Sequence, residues 1–131
     1  MVSETHPTAS IFLLVAASLF LVVYALPLLI APLRWARVFL WKVPAETDLT
    51  VYLGRCLGAV AVAICAICFR AAPAPEHHVA LFEVILVAGA LLTLVHIWGA
   101  LRRVQPWTEH VEIALYAALT GVDAWVLSTL S

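Results

Sequence analysis

Charge is what this 131-residue chain has least of. Seven Lys and Arg and eight Asp and Glu make up 11% of it, against about 25% in a soluble domain. No polar stretch is long enough to hold a soluble domain. The net charge of −1 supplies no basic field for nucleic acid. Cysteine is scarce too. Cys56, Cys65 and Cys68 all lie in one apolar run, which excludes a secreted disulfide framework. Cys65 and Cys68 form a C-x-x-C, with redox or metal chemistry as the sharp reading and small packing residues as the plain one. No hydrolytic triad and no nucleotide-binding loop can be read from the chain.

What is abundant is apolar. Hydrophobic residues make up 65% of the chain and the mean hydropathy is +1.07. Four apolar segments stand out: residues 10–33, 49–70, 79–101 and 109–130. Each approaches the roughly 20 residues that cross about 30 Å of hydrocarbon as a helix. Helices are the natural choice because lipid offers unpaired backbone groups no partner. The expected fold is an all-α, four-helix integral membrane bundle forming a single domain. The first segment is expected to be a retained helix rather than a cleaved signal, since "MVSETHPTAS" carries no Lys or Arg. Pro27 predicts a kink near residues 23–27.

The linkers differ in character. "RWARVFLWKVPAETD" mixes Trp35, Phe39 and Trp41 with Arg34, Arg37 and Lys42. That suits a short amphipathic segment in the interface between the first two helices. "AAPAPEHH" reads as a tight turn, and "RRVQPWTE" as another with Thr108 as a cap for the fourth helix. The first and third linkers carry the cations Arg34, Arg37, Lys42, Arg102 and Arg103, while the other side has only Arg70. The positive-inside rule then puts those two loops in the cytoplasm and both termini outside, an asymmetry that suits a bacterial inner membrane.

Polar residues inside the segments are the candidate site. On a rise of 1.5 Å per residue, Arg55 lies about 9 Å in from the cytoplasmic end, His96 about 7–8 Å, Glu112 about 4–5 Å and Tyr116 about 10 Å. These four fall in one layer. Glu109, Glu112, Tyr116, Thr120 and Asp123 recur at spacings of three and four, so they share one face of the fourth helix. A polar stripe on a spanning helix faces protein or a wet cavity. The expected cluster is Arg55 paired with Glu112, with His96 and Tyr116 beside them. Glu83 and Asp123, in the outer halves of the third and fourth helices, form a second acidic site. They are either proton-linked or structural, with Arg70 as a possible partner at the helix end. Gly54 and Gly58 frame Arg55 as G-x-x-x-G, a close-packing motif that Ala61 extends.

Other chemistries could draw on the polar residues. Haem would need His96 and His110 as an axial pair, which differ in depth by several ångströms. A surface metal site from Glu76, His77, His78 and His6 competes with a plain polar helix start, where the dipole favours Glu76. No metal and no cofactor is expected. A small transporter fits the size, but the first helix carries no acid.

"YLGRCLGAV" followed by "LTLVHIWGAL" resembles the DoxX-like group of small four-helix membrane proteins. It is also similar to the sterol-biosynthesis scaffold family that tethers enzymes at the membrane. The likeness rests on Arg55, Gly58 and His96. It implies a bundle that holds other proteins and transfers no active site. The expected function is therefore a scaffold, accessory subunit or assembly factor of a membrane complex. Its partners would be the bilayer and other membrane proteins, with homo-oligomerisation left open. The alternatives are a proton-linked carrier using Asp123 and Glu83, or a haem or quinone anchor using His96.

Overall fold

The computed structural model describes residues 2–130 and is all-helical over them. Four stretches are long and apolar enough to span a membrane: Pro7–Ile30, Asp48–Ala71, Pro75–Arg102 and Thr108–Ser128. The first is not one uniform helix. It consists of α1 (Pro7–Phe20), one wide π-helical turn (Leu21–Ala25) and α2 (Leu26–Ile30). It begins three residues earlier than the apolar pattern suggested, because Pro7 starts a helix without needing its N–H.

Pro27 explains the wide turn. Its ring would crowd the carbonyl of Val23, four residues back, and it has no N–H to bond that oxygen. The chain opens by one residue at Leu21–Ala25, a common relief for such a defect. The released Val23 carbonyl accepts a hydrogen bond from Trp35 Nε1 at 2.9 Å. The wider turn leaves Tyr24 and Ala25 buried.

A break at Ala31 separates α2 from α3 (Pro32–Val38), so the first apolar segment ends before residue 33 as a spanning helix. Trp35 and Phe39 stack with ring centroids 4.5 Å apart, and each lies 5.8 Å from Tyr24. The aromatics of this linker thus fold onto the bundle, while Arg34, Arg37 and Lys42 remain exposed. Helix α3 ends on Leu40, which has φ 64°. The N–H of Trp41 then reaches back to the Ala36 carbonyl at 2.9 Å, a Schellman closure.

Helix α4 (Asp48–Ala71) packs along the first span, and α5 (Val79–Arg102) packs along α6 (Thr108–Ser128). A β-carbon on Gly58 would collide with the backbone of Leu29 and Ala25, and one on Gly54 with Pro32. The G-x-x-x-G stripe is therefore an intrachain seam in which α4 touches α2 and α3 directly. Phe12, Leu13 and Ala17 of α1 meet Cys65, Cys68 and Ala71 of α4, Phe82 of α5 and Val126 of α6 in an apolar core. Cys65 and Cys68, three apart and both buried, act there as small packing residues.

Candidate functional site

A polar centre is buried at the opposite end of the bundle from that core. His96 comes from the last third of α5. Glu109 and Glu112 come from the first turns of α6, where a spacing of three puts both carboxylates on one face. His96 Nε2 lies 3.1 Å from Glu109 Oε2 and 3.3 Å from Glu112 Oε2. Both glutamates are 4% exposed. The loop of residues 103–107 between α5 and α6 is held by a side chain: Gln105 Nε2 donates to the His96 carbonyl at 3.0 Å.

Each member of the centre is held in place. His96 Nδ1 lies 2.7 Å from the Leu92 carbonyl one turn back. A carbonyl only accepts, so Nδ1 carries a proton and Nε2 is the atom turned to the carboxylates. Glu109 Oε1 accepts from Trp41 Nε1 at 2.7 Å, across 68 positions of sequence. Thr108 Oγ1 donates to the Phe39 carbonyl at 2.6 Å, fastening the same linker to the start of α6. The cap expected from Thr108 is therefore replaced by a tertiary contact, because the Phe39 carbonyl is within reach once α3 folds back. Tyr116 packs its ring 5.0 Å from His96, and Tyr24 lies 6.5 Å from Tyr116. Glu112 Oε1 is buried with no hydrogen-bond partner.

Three of the four residues expected to cluster do so: His96, Glu112 and Tyr116. Arg55 does not. It lies exposed on α4 with no ion pair. The reason is rotational. The buried stripe of α4 runs through Gly58, Ala61, Cys65 and Cys68, and at about 100° per residue Arg55 points roughly 90° away from it. Glu109 and Trp41 take the place that was assigned to Arg55. The polar spacing of α6 had included Glu109, but nothing local in the sequence signals Trp41.

The second acidic site is also divided. Asp123 is fully buried, with both carboxylate oxygens unpaired, and lies within electrostatic reach of Cys68. Glu83 is exposed on α5, since it follows Phe82, which points into the core. Arg70 is exposed and reaches neither acid. His110 is exposed, with Nδ1 3.2 Å from the Trp107 carbonyl, so it does not face His96 as a haem pair would. Among the described residues, His96, Glu109 and Glu112 form the one group whose ligand atoms converge, all within 4.8 Å of one another. Glu76, His77, His78 and His6 do not form such a group.

The fold and this centre define an all-α membrane-type four-helix bundle with one buried His–Glu–Glu cluster. No family model, no curated protein and no solved structure matches the chain.

Proposed function

We propose that this protein is a membrane subunit that works by holding another membrane protein, as a scaffold, accessory subunit or assembly factor. The observation that carries this reading is Arg55. A cation well inside a spanning segment is costly, roughly 2.5–3.5 kcal/mol near the centre on insertion scales, and is ordinarily paired. Arg55 is exposed and has no carboxylate partner among the described residues. This supports a partner outside the chain, and an acid on a neighbouring helix at the same depth fits it. The resemblance carried by Arg55, Gly58 and His96 points the same way. In this reading the chain sits in a bacterial inner membrane with both termini outside, as the five cations of the first and third linkers suggest.

The test is purification of tagged protein from its native membrane in mild detergent, with mass spectrometry of what accompanies it. A stoichiometric membrane protein is expected, and Arg55→Gln should release it without lowering the melting temperature of the bundle. A partner that is unaffected by Arg55→Gln, or a clean protein with no partner, would overturn the reading.

A further inference from the structure

The polar centre contains two buried carboxylates and no Lys or Arg. Among the described residues, the only ion pairs involve His96. With both carboxylates ionised, the cluster carries two negative charges when His96 is neutral and one when it is charged. Buried charge of one sign is expensive in a low-dielectric interior. A divalent cation beside a neutral imidazole and two carboxylates brings the sum to zero.

The geometry fits such an ion. Donors on one tetrahedral metal at about 2.0–2.1 Å stand about 3.3–3.4 Å apart. His96 Nε2 stands 3.1 Å and 3.3 Å from the two glutamate oxygens. The outer contacts match those of built metal sites. The proton on His96 Nδ1 is held by the Leu92 carbonyl, which leaves the Nε2 lone pair free to ligate. Trp41 holds Glu109 Oε1 and so turns Oε2 inward. Glu112 is 4% exposed, and its Oε1 makes no close hydrogen bond among the described residues, although the Tyr24 and Tyr116 hydroxyls lie within reach of the carboxylate. That incompletely satisfied buried oxygen is a second observation, independent of the clustering, that points to a ligand.

We propose that His96, Glu109 and Glu112 bind one divalent first-row transition-metal ion, joining α5 to α6. One imidazole and two carboxylates, without a thiolate, suit Zn²⁺, Mn²⁺ or Fe²⁺ rather than Cu⁺. Three protein donors are too few for a dedicated Ca²⁺ cage. The ion is held by two helices that already pack together, so its binding adds to bundle stability by mass action.

The test uses the full chain in mild detergent, stripped with a chelator and titrated with Zn²⁺ and, as a coloured probe, Co²⁺. One equivalent per chain is expected after gel filtration, with a higher melting temperature and visible Co²⁺ bands. Trp41→Phe should weaken Zn²⁺ binding about 10–100-fold, the usual effect of losing a contact behind a ligand. Glu112→Gln, of equal size, should weaken it more. Glu83→Gln, an exposed acid on the same helix as His96, should bind as wild type does. Absence of stoichiometric Zn²⁺ on the folded wild-type chain would overturn the proposal. So would tighter binding of Mg²⁺ or Ca²⁺, or wild-type affinity in both Trp41→Phe and Glu112→Gln. Should Glu112→Gln fail to fold, the wild-type titration and Trp41→Phe decide the matter.

Discussion

The indole N–H of Trp35 supplies the hydrogen bond that Pro27 cannot. It reaches the Val23 carbonyl at 2.9 Å, the oxygen that residue 27 of an unbroken helix would have bonded. A membrane interior offers no water in its place. Trp35→Phe should therefore cost about 0.6–2 kcal/mol, the range for hydrogen bonds between helices in membranes. Pro27→Ala restores a backbone donor to the same carbonyl. Trp35→Phe should then cost less in the Pro27→Ala background than in wild type. Equilibrium unfolding of the four proteins in detergent gives the coupling, and equal costs in both backgrounds would refute the link.

The glycines of α4 and α6 should respond in opposite directions to the same change. A β-carbon at Gly58 would stand 2.8 Å from Leu29 Cα and 2.9 Å from the Ala25 carbonyl oxygen. Both are backbone, so neither can rotate away. Gly58→Ala must part α4 from α2 and should cost about 1–3 kcal/mol. Gly121 has nothing within 4 Å of its added carbon. Gly121→Ala should be neutral or stabilise by up to about 1 kcal/mol, because alanine loses less freedom in a helix. Melting temperatures of the two variants, measured side by side, check the contrast.

Two helix ends place a side chain where glycine is usual. Leu40 has φ 64° and Arg103 φ 55°. Each is followed by a backbone N–H that closes the helix end: Trp41 onto the Ala36 carbonyl, and Val104 onto the Gly99 carbonyl. The left-handed conformation costs an L-residue about 1–2 kcal/mol. Leu40→Gly keeps the closure and removes that cost, and half-exposed Trp41 stays on course for Glu109. The expected result is a gain of about 1 kcal/mol, measured by detergent unfolding. A loss would mean that the Leu40 side chain contributes packing that outweighs the backbone term.

What could be read from the sequence divides along physical lines. Hydropathy is local, so the four spans and their approximate ends followed from composition alone. Depth follows from the rise per residue, and it brought His96, Glu112 and Tyr116 into one layer. Rotation about the helix axis does not follow from depth, and Arg55 was misplaced for that reason. A signal did exist: Gly58, Ala61 and Cys65 mark one stripe of α4, and Arg55 lies to the side of it. Glu83 was misplaced in the same way, one residue beyond an inward Phe82. The Trp41–Glu109 bond depends on the turn at Leu40 and the break at Ala31, and spans 68 positions. No window of sequence contains it.

The same distinction between depth and rotation can be measured energetically. By the rise per residue Arg55 and Glu112 share a layer, yet they form no ion pair, whereas His96 and Glu112 are 3.3 Å apart. Residues without shared partners give mutational effects that add within about 0.3–0.5 kcal/mol. Arg55→Gln combined with Glu112→Gln should therefore be additive. Arg55→Gln alone should change stability by less than about 0.5 kcal/mol, as for an exposed site. His96→Gln combined with Glu112→Gln should depart from additivity by about 0.5–3 kcal/mol, because either single change leaves the other group buried without its partner. Both cycles are run by unfolding chelator-treated protein in one detergent, so that partner and metal binding do not enter. Non-additivity in the Arg55 cycle would show that Arg55 turns inward in solution, and would remove the observation on which the proposed external partner rests.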